Sequence, residues 1–324
     1  MTKYIAVFLK GLAMGAADVV PGVSGGTIAF ITGIYDTLLD SIDKINFGLI
    51  KKLKNEGIVS VWNHINGAFL LSLFAGILTS ILSLAKVIKM LLHDYPISVW
   101  SFFFGLILAS IVYLLKELKQ INIKSIIGLV LGTIFVIFLS QIPGQKDASN
   151  LLYIFFCGMV AICAMILPGI SGSFILLVLG AYTTVFIEGL ANRDVLVLGI
   201  FGLGAISGLL SFSKFLKWIL NTYRNTTFAV LIGFLVGSLY KIWPWKHIEE
   251  IFVKHIGEPN EAVVNIVEKN VLPSNYDTIV REGANIVGYA KQDPQVMQAV
   301  IFCIVGFSII FVIEGLGKLK GKAE

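Results

Sequence analysis

Long uninterrupted apolar runs constrain this chain more than any other feature. Tyr4–Val20, Gly22–Leu39, Asn66–Leu92, Ile97–Leu115 and Ile123–Gln141 form one series, and Leu151–Leu167, Gly169–Leu190, Val195–Leu220, Thr226–Trp243 and Met297–Gly317 form a second. Runs of about 17 to 25 residues can cross a hydrocarbon core of roughly 30 Å as helix. Hydrocarbon offers the backbone no hydrogen-bond partner, so only helices and closed barrels span it. Barrel strands would alternate in polarity over about 10 residues, which these runs do not. Only 14% of the residues are charged, against about 25% in soluble chains. The expected fold is all-α, a polytopic membrane protein.

Two junctions interrupt this pattern. The first two runs meet at Pro21-Gly22, the sixth and seventh at Pro168-Gly169, with no loop between them. Proline removes a backbone donor and clashes with the preceding turn, so each helix should break there. We read residues 4–40 and 151–190 as re-entrant hairpins with the break at the tip, and the other runs as about six spanning helices. Irregular backbone at membrane depth is tolerated only where protein or a water-filled cavity covers it. The tips are therefore candidate sites.

Positive charge sets the orientation. Lys44, Lys51, Lys52 and Lys54 crowd one expected loop; Lys116, Lys119 and Lys124 fill another, Lys214, Lys217 and Arg224 a third, and Lys318, Lys320 and Lys322 the C-terminal region. With each broken pair returning to its own side, all of these fall on the cytoplasmic face of an inner membrane, with both termini. The acidic polar stretch at about 245–295 falls outside. The net charge of +5 thus describes basic loops at a membrane, not a nucleic-acid surface. No secretory cleavage pattern follows the first run, so it is expected to be retained. Cys157, Cys163 and Cys303 sit in apolar runs, and the histidines form no ligand motif. No metal or cofactor is implied.

The halves resemble each other. Gly11–Thr37 aligned with Gly158–Thr184 is identical at about ten of 27 columns, among them Pro21-Gly22-x-Ser24-Gly25 with Pro168-Gly169-x-Ser171-Gly172. Further on, Gly76, Thr79, Ser83 and Lys86 match Gly204, Ser207, Ser211 and Lys214, and Gly105 and Ser110 match Gly233 and Ser238. Residues 1–145 and 146–324 therefore read as two repeats. With their hairpins entering from opposite sides, the repeat is inverted, the architecture in which transporters hold a site near the midplane.

Three features carry candidate chemistry. At the tips, backbone N–H groups opening a half-helix favour an anion. Gly25, Gly26 and Gly172 allow close approach there, and Ser24, Thr27, Ser171 and Ser173 add hydroxyls. The plainer reading is that these hydroxyls cap their own helices. Thr79, Ser83 and Lys86 share one helix face, as do Ser207, Ser211 and Lys214. These polar stripes are expected to face inward, with Lys86 and Lys214 as phosphate-attracting cations at opposite mouths. Asp18 is a candidate for a coupling proton or sodium, or for an ion pair with Lys10. Tyr35 and Tyr182 suit interfacial anchoring.

Residues Gly11–Leu38, with the Asp18-x-x-Pro21-Gly22-x-Ser24-Gly25-Gly26-Thr27 core, resemble the polyprenyl-phosphate transporter family of the PopT type, long known only as a domain of unknown function. The resemblance continues through Pro168–Tyr182 and Gly233-x-x-x-Gly237-Ser238-x-x-Lys241-x-Trp243-Pro244-Trp245. It implies return of undecaprenyl phosphate from the outer to the inner leaflet for reuse in cell-wall synthesis. Two rival readings stay open. Undecaprenyl-pyrophosphate phosphatases of the bacitracin-resistance type are similar, with Pro-Gly-x-Ser-Arg-Ser tips, but Gly25 and Gly172 stand where those carry arginine. The other rival is an ion-coupled transporter of a small soluble anion. Glycine-rich helix faces would also allow close pairing with a second copy.

Overall fold

The structure is a computed structural model that describes residues 2–19, 24–46, 48–118, 121–141, 150–182, 184–185, 189, 193–254, 262–282 and 285–320. Pro21 and Gly22 lie outside the described residues, as do the side chains of Lys86 and Lys89.

The first broken run is α1 (Thr2–Val19) and α2 (Gly25–Ile31), followed across Gly33 by α3 (Tyr35–Asp43). Then come α4 (Gly48–His64), α5 (Gly67–Asp94), α6 (Pro96–Glu117) and α7 (Ile123–Gln141). The second broken run is α8 (Leu151–Ile166) and α9 (Gly172–Val178), followed by α10 (Val195–Thr222), α11 (Arg224–Lys241) and, after a β layer, α12 (Val296–Lys320). Helices thus occupy all six stretches expected to span. Among the described residues, three are long and apolar enough to cross a membrane alone: 96–116, 123–141 and 195–222. The helices Gly48–His64 and Gly67–Ser83 meet the same criterion only as a pair bent by 52°.

Polar residues fix several helix starts. Asn150 accepts from the Leu152 N–H at 2.8 Å and opens α8; Asp194 accepts from Leu196 and Val197 at 3.1 Å and opens α10. Such side chains satisfy amides that the helix itself leaves unpaired. Gly33 (φ +71°) and Gly180 (φ +70°) turn the chain at matching points after the two breaks. Only glycine holds that conformation without a steric penalty.

Two expectations need correction. The fold is not purely helical, because the polar 245–295 stretch forms two antiparallel hairpins. These are β1 (Lys246–Lys254) with β2 (Ala262–Asn270), and β3 (Asp277–Glu282) with β4 (Asn285–Lys291). In β4, Asn-Ile-Val-Gly-Tyr-Ala-Lys alternates exposed and half-buried positions, the period of a strand with one covered face. Charge and the absence of a long apolar run concealed these strands. The basic segment from Lys51 to Lys54 is likewise helix rather than loop, lying within α4, which kinks at Gly57 (φ 79°).

Glycines govern helix packing, and they do so twice. A Cβ on Gly11 of α1 would overlap the Leu73 carbonyl of α5, and one on Gly76 of α5 would overlap that of Phe8. In the second half, Gly158 of α8 meets the Phe201 carbonyl, and Gly204 of α10 meets that of Phe155. A second doublet links α6 with α12 and α7 with α11. Gly105 faces the Cys303 carbonyl and Gly306 that of Phe102, while Gly233 faces the Leu129 carbonyl and Gly132 that of Val230. Close backbone approach of this kind lets membrane helices gain van der Waals contact where water supplies no driving force. Between them lies an apolar core that includes Leu39, Leu73, Ile107, Leu231 and Leu235.

Candidate functional site

The two breaks lie against each other. Ser24, extended at φ −124°, ψ 135°, caps α2: its Oγ accepts from the Gly26 N–H at 3.1 Å. The same hydroxyl donates to the Met165 carbonyl at 3.1 Å, across to the second half. Thr27 Oγ1 accepts from the Gly169 N–H at 2.9 Å. A Cβ on Gly26 would meet the carbonyls of Met165 and Ile166, so nothing larger fits at this crossing. Ser24, Thr27 and Ser171 are all buried, and Ser171 shares a hydrogen bond with Ser173 at 2.8 Å. Gly172 packs close to the Ala161 carbonyl. Ser24, Gly26 and Thr27 of the first tip thus meet Met165, Ile166 and Gly169 of the second break, while Ser171, Gly172 and Ser173 make their contacts within their own half.

In this state the tip amides already have partners. Asp18 Oδ1 accepts from the Gly25 N–H at 2.7 Å, and its carboxylate covers the space where a Gly25 side chain would stand. Ser24 thus caps its own helix, as the plainer reading has it, whereas Thr27 bonds across to the second break and Ser171 to Ser173. Asp18 does not pair with Lys10, whose Nζ instead donates to the Thr32 carbonyl at 2.7 Å.

The polar stripes do not face inward. Thr79, Ser83, Ser207, Ser211 and Lys214 are exposed, and each hydroxyl bonds a carbonyl four residues back in its own helix. A hydroxyl satisfied in that way has no need of an interior partner. The inward faces of α5 and α10 are taken by Gly76, Ser80, Gly204 and Gly208. Tyr35 is buried against Phe30, ring centroids 5.2 Å apart, rather than placed at an interface. Lys217 bridges Asp40 at 2.7 Å and Asp43 at 3.0 Å, and Arg224 meets Asp36 at 3.2 Å, fastening α3 to α10 and α11.

At the other end of α11 is a small cavity of about 10 Å³ that sequence reasoning missed. Lys241 lines it with Ser140, Gly169 and Ser171, and Val136 and Leu139 supply apolar wall. Lys241 Nζ lies 3.4 Å from Glu268 Oε2 of β2, while Lys246 Nζ holds the same oxygen at 2.8 Å and sits 4.9 Å from the centre of the Trp100 ring. Burial pulls the Lys246 ammonium below its usual range in spite of Glu268. Burial pushes the Glu268 carboxyl up, but Lys246 and Lys241 together outweigh it and leave it below the usual carboxylate range. Trp243 and Trp245 donate to the Val271 and Pro294 carbonyls at 2.9 and 2.8 Å, joining the β layer to the end of α11. The lysine belongs to a motif visible in the sequence. Its neighbours come from α7 and the second tip, which local spacing does not reveal.

Residues 14–260, which include both tips, match the family model described as undecaprenyl phosphate translocase-like (VCA0040-like). The chain belongs to that family. It is 47% identical over 280 residues to a polyprenyl-phosphate transporter of Vibrio cholerae, covering 86% of this chain and 89% of that one. A polyprenyl-phosphate transporter of Staphylococcus aureus is 36% identical over 262 residues, covering 75% and 87%. No solved structure matches. The family match thus takes in the interlocked tips, the glycine crossing of α10 with α8, and Lys241.

Proposed function

We propose that the chain carries a polyprenyl phosphate, undecaprenyl phosphate in particular, across the cytoplasmic membrane from the outer to the inner leaflet without altering it chemically. The observation that carries this reading is the direct interlock of two backbone breaks, Ser24 to Met165 and Thr27 to Gly169, one from each half of the chain. The duplicated glycine crossings support a repeat, and its inversion rests on the placement of the basic segments. In an inverted-repeat carrier, the halves exchange roles as the site opens to one side and then the other. The phosphate would bind among Ser24, Gly25, Gly26, Thr27, Ser171, Gly172 and Ser173 while the prenyl chain stays in lipid. Lys214 and Lys86 would draw the head group to the mouths.

Asp18 gives this reading a coupling element. Its carboxylate holds the Gly25 amide, so an arriving phosphate meets a negative group in its own place. Exchange requires the carboxylate to leave or to be neutralised, by a proton or by sodium. The family names of the relatives and the glycines at positions 25 and 172 both favour transport over hydrolysis. Phosphoryl transfer needs cationic stabilisation of the developing charge, and no arginine stands at either tip.

The test is purified protein in liposomes carrying labelled polyprenyl phosphate in one leaflet, run with and without a pH or sodium gradient. The label should change leaflets, with Asp18→Asn abolishing the gradient response. Release of inorganic phosphate from polyprenyl pyrophosphate, with no leaflet exchange, would replace the carrier by an enzyme.

A further inference from the structure

The helix α4 has no buried residue, although it joins two elements that are packed into the bundle. Before it lies α3 and after it α5, and the two are tied where Asn66 Nδ2 donates to Ser41 Oγ at 3.1 Å. The ring of Trp62 covers Gly67, the first residue of α5. Lys217, which holds Asp40 and Asp43 of α3, is on the same side. The end of α4 is thus fixed beside the point where α5 enters the bundle.

Its apolar side chains follow one pattern twice. Leu49, Ile50 and Leu53 fall at i, i+1 and i+4, and Ile58, Val59 and Trp62 repeat that spacing. Each set makes a stripe along one face of its own helical turns. No other part of the protein covers them: Ile58 is 74% and Val59 69% exposed, and Ile50, Leu53 and Trp62 are exposed too. The stripes begin nine residues apart, about two and a half turns at 3.6 residues per turn. In an unbroken helix they would face opposite ways. Gly57 (φ 79°, ψ 175°) interrupts the helix between them. A Cβ there would meet no atom within 4 Å, so this glycine serves no close packing. Its use is the backbone break itself, which frees the second stripe to turn to the side of the first.

Charge identifies what the stripes meet. Lys51, Lys52 and Lys54 flank the first stripe, and Lys44 stands ahead of the helix. Lys52 bridges Glu56 at 2.8 Å, which leaves Lys51 and Lys54 without an ion pair among the described residues. These charges keep the first half of α4 out of hydrocarbon, where lysine at mid-depth is strongly disfavoured. Apolar stripes edged by lysines, with a tryptophan, are instead the composition of a helix lying in the plane of the lipid head groups.

We infer that α4 is a membrane-surface element whose two stripes sink into the bilayer around the protein while Lys51 and Lys54 bind anionic lipid head groups. Gly57 is the joint that lets both stripes reach the same plane. This surface is independent of the ligand carried at the tips.

The experiment puts spin labels on single cysteines in the full chain, with the three native cysteines replaced by alanine. The chain is held in nanodiscs of phosphatidylcholine, alone or mixed with phosphatidylglycerol. Labels at Leu53 and Ile58 report the stripes, and labels at Asn55 and His64 the opposite faces. Access to oxygen, which enriches in lipid, is compared with access to a water-soluble nickel chelate. In anionic discs Leu53 and Ile58 should read as embedded, and Asn55 and His64 as facing water. Lys51→Gln and Lys54→Gln should each lower the ratio of embedded to exposed label about fivefold, the weight of one basic residue near an anionic surface. High salt should act in the same direction. Gly57→Ala, which strains the break without a clash, should return one stripe to water while melting like the parent. Labels at Leu53 and Ile58 open to nickel in anionic discs would overturn the membrane surface. Labels closed to both reagents would overturn it equally, since a protein or a second copy would then cover the stripes. Equal ratios in neutral and anionic discs would overturn the head-group assignment. A Gly57→Ala chain with both stripes still embedded would overturn the role of the break.

Discussion

Thr27→Val tests whether the contact between the tips matters energetically. The substitution keeps the shape of a fully buried side chain and removes only the oxygen that accepts from the Gly169 N–H at 2.9 Å. That amide then has no partner in a place without water. Leaving a buried donor unpaired costs about 1–3 kcal/mol. If the interlock is specific to one state of a two-state carrier, the same energy shifts the balance between states by a factor of about 5 to 150. Thr27→Ser keeps the acceptor and loses one methyl, so it should shift the balance far less. The assay places a cysteine at Ser171 in a background with Cys157, Cys163 and Cys303 replaced by alanine, and measures modification by an impermeant reagent from each side. Thr27→Val should change the ratio of the two labelling rates by the stated factor, and Thr27→Ser should leave it near the parent value. Equal ratios in all three chains, with unchanged melting, would show that the hydrogen bond is incidental and remove the interlock from the mechanism.

Other expectations are narrower. Lys217→Ala breaks two bridges at partly exposed positions, each worth about 0.2–1 kcal/mol; the loss should shrink in high salt, as read by melting at two ionic strengths. Gly105→Ala and Gly233→Ala each put a methyl onto a facing carbonyl and should cost about 1–3 kcal/mol by overpacking. Similar losses in thermal unfolding are expected if the crossings are equivalent, whereas a neutral substitution at one would break the equivalence. For the β layer, Glu268 is held below the usual carboxylate range, so its folded pKa is the lower one. Its contribution is complete above the unfolded value of about 4.3 and is lost as pH falls through the folded value. Tryptophan fluorescence should report loosening of the layer only in that acid window, and Glu268→Gln should remove this limb of the titration.

The sequence exposed the features whose signals are local. Pro21-Gly22 and Pro168-Gly169 marked the breaks, because backbone chemistry at a single residue decides each case, whereas the turns at Gly33 and Gly180 fell inside runs read as continuous. The glycine repeat was legible for the same reason, although its meaning as reciprocal contact between α6 and α12, and between α7 and α11, needed three dimensions. Direction was harder. Thr79, Ser83, Ser207 and Ser211 share a face in the helical wheel, yet nothing in their spacing says whether that face meets the core. Each hydroxyl can satisfy itself on its own helix, which removes the force that would have turned it inward. The strands of the β layer escaped notice because they are short and charged, beside runs many times more apolar.

The mismatch between a visible motif and an invisible site is most instructive at Asp18 and Lys241. Asp18 stood out in the sequence as a lone acid in an apolar run, whereas Lys241 figured only within the stretch that carries the family resemblance. Their surroundings come from residues distant in the chain or across the break: Gly25 for Asp18, and Glu268 for Lys241. On the proposed transport reading, the carboxylate of Asp18, which holds the Gly25 amide, would resist the arriving phosphate at the tip. A carrier with attraction alone would bind its lipid and keep it. Under the proposed reading, charge opposition at the tip, relieved by a coupling ion, would supply a reason for the head group to leave.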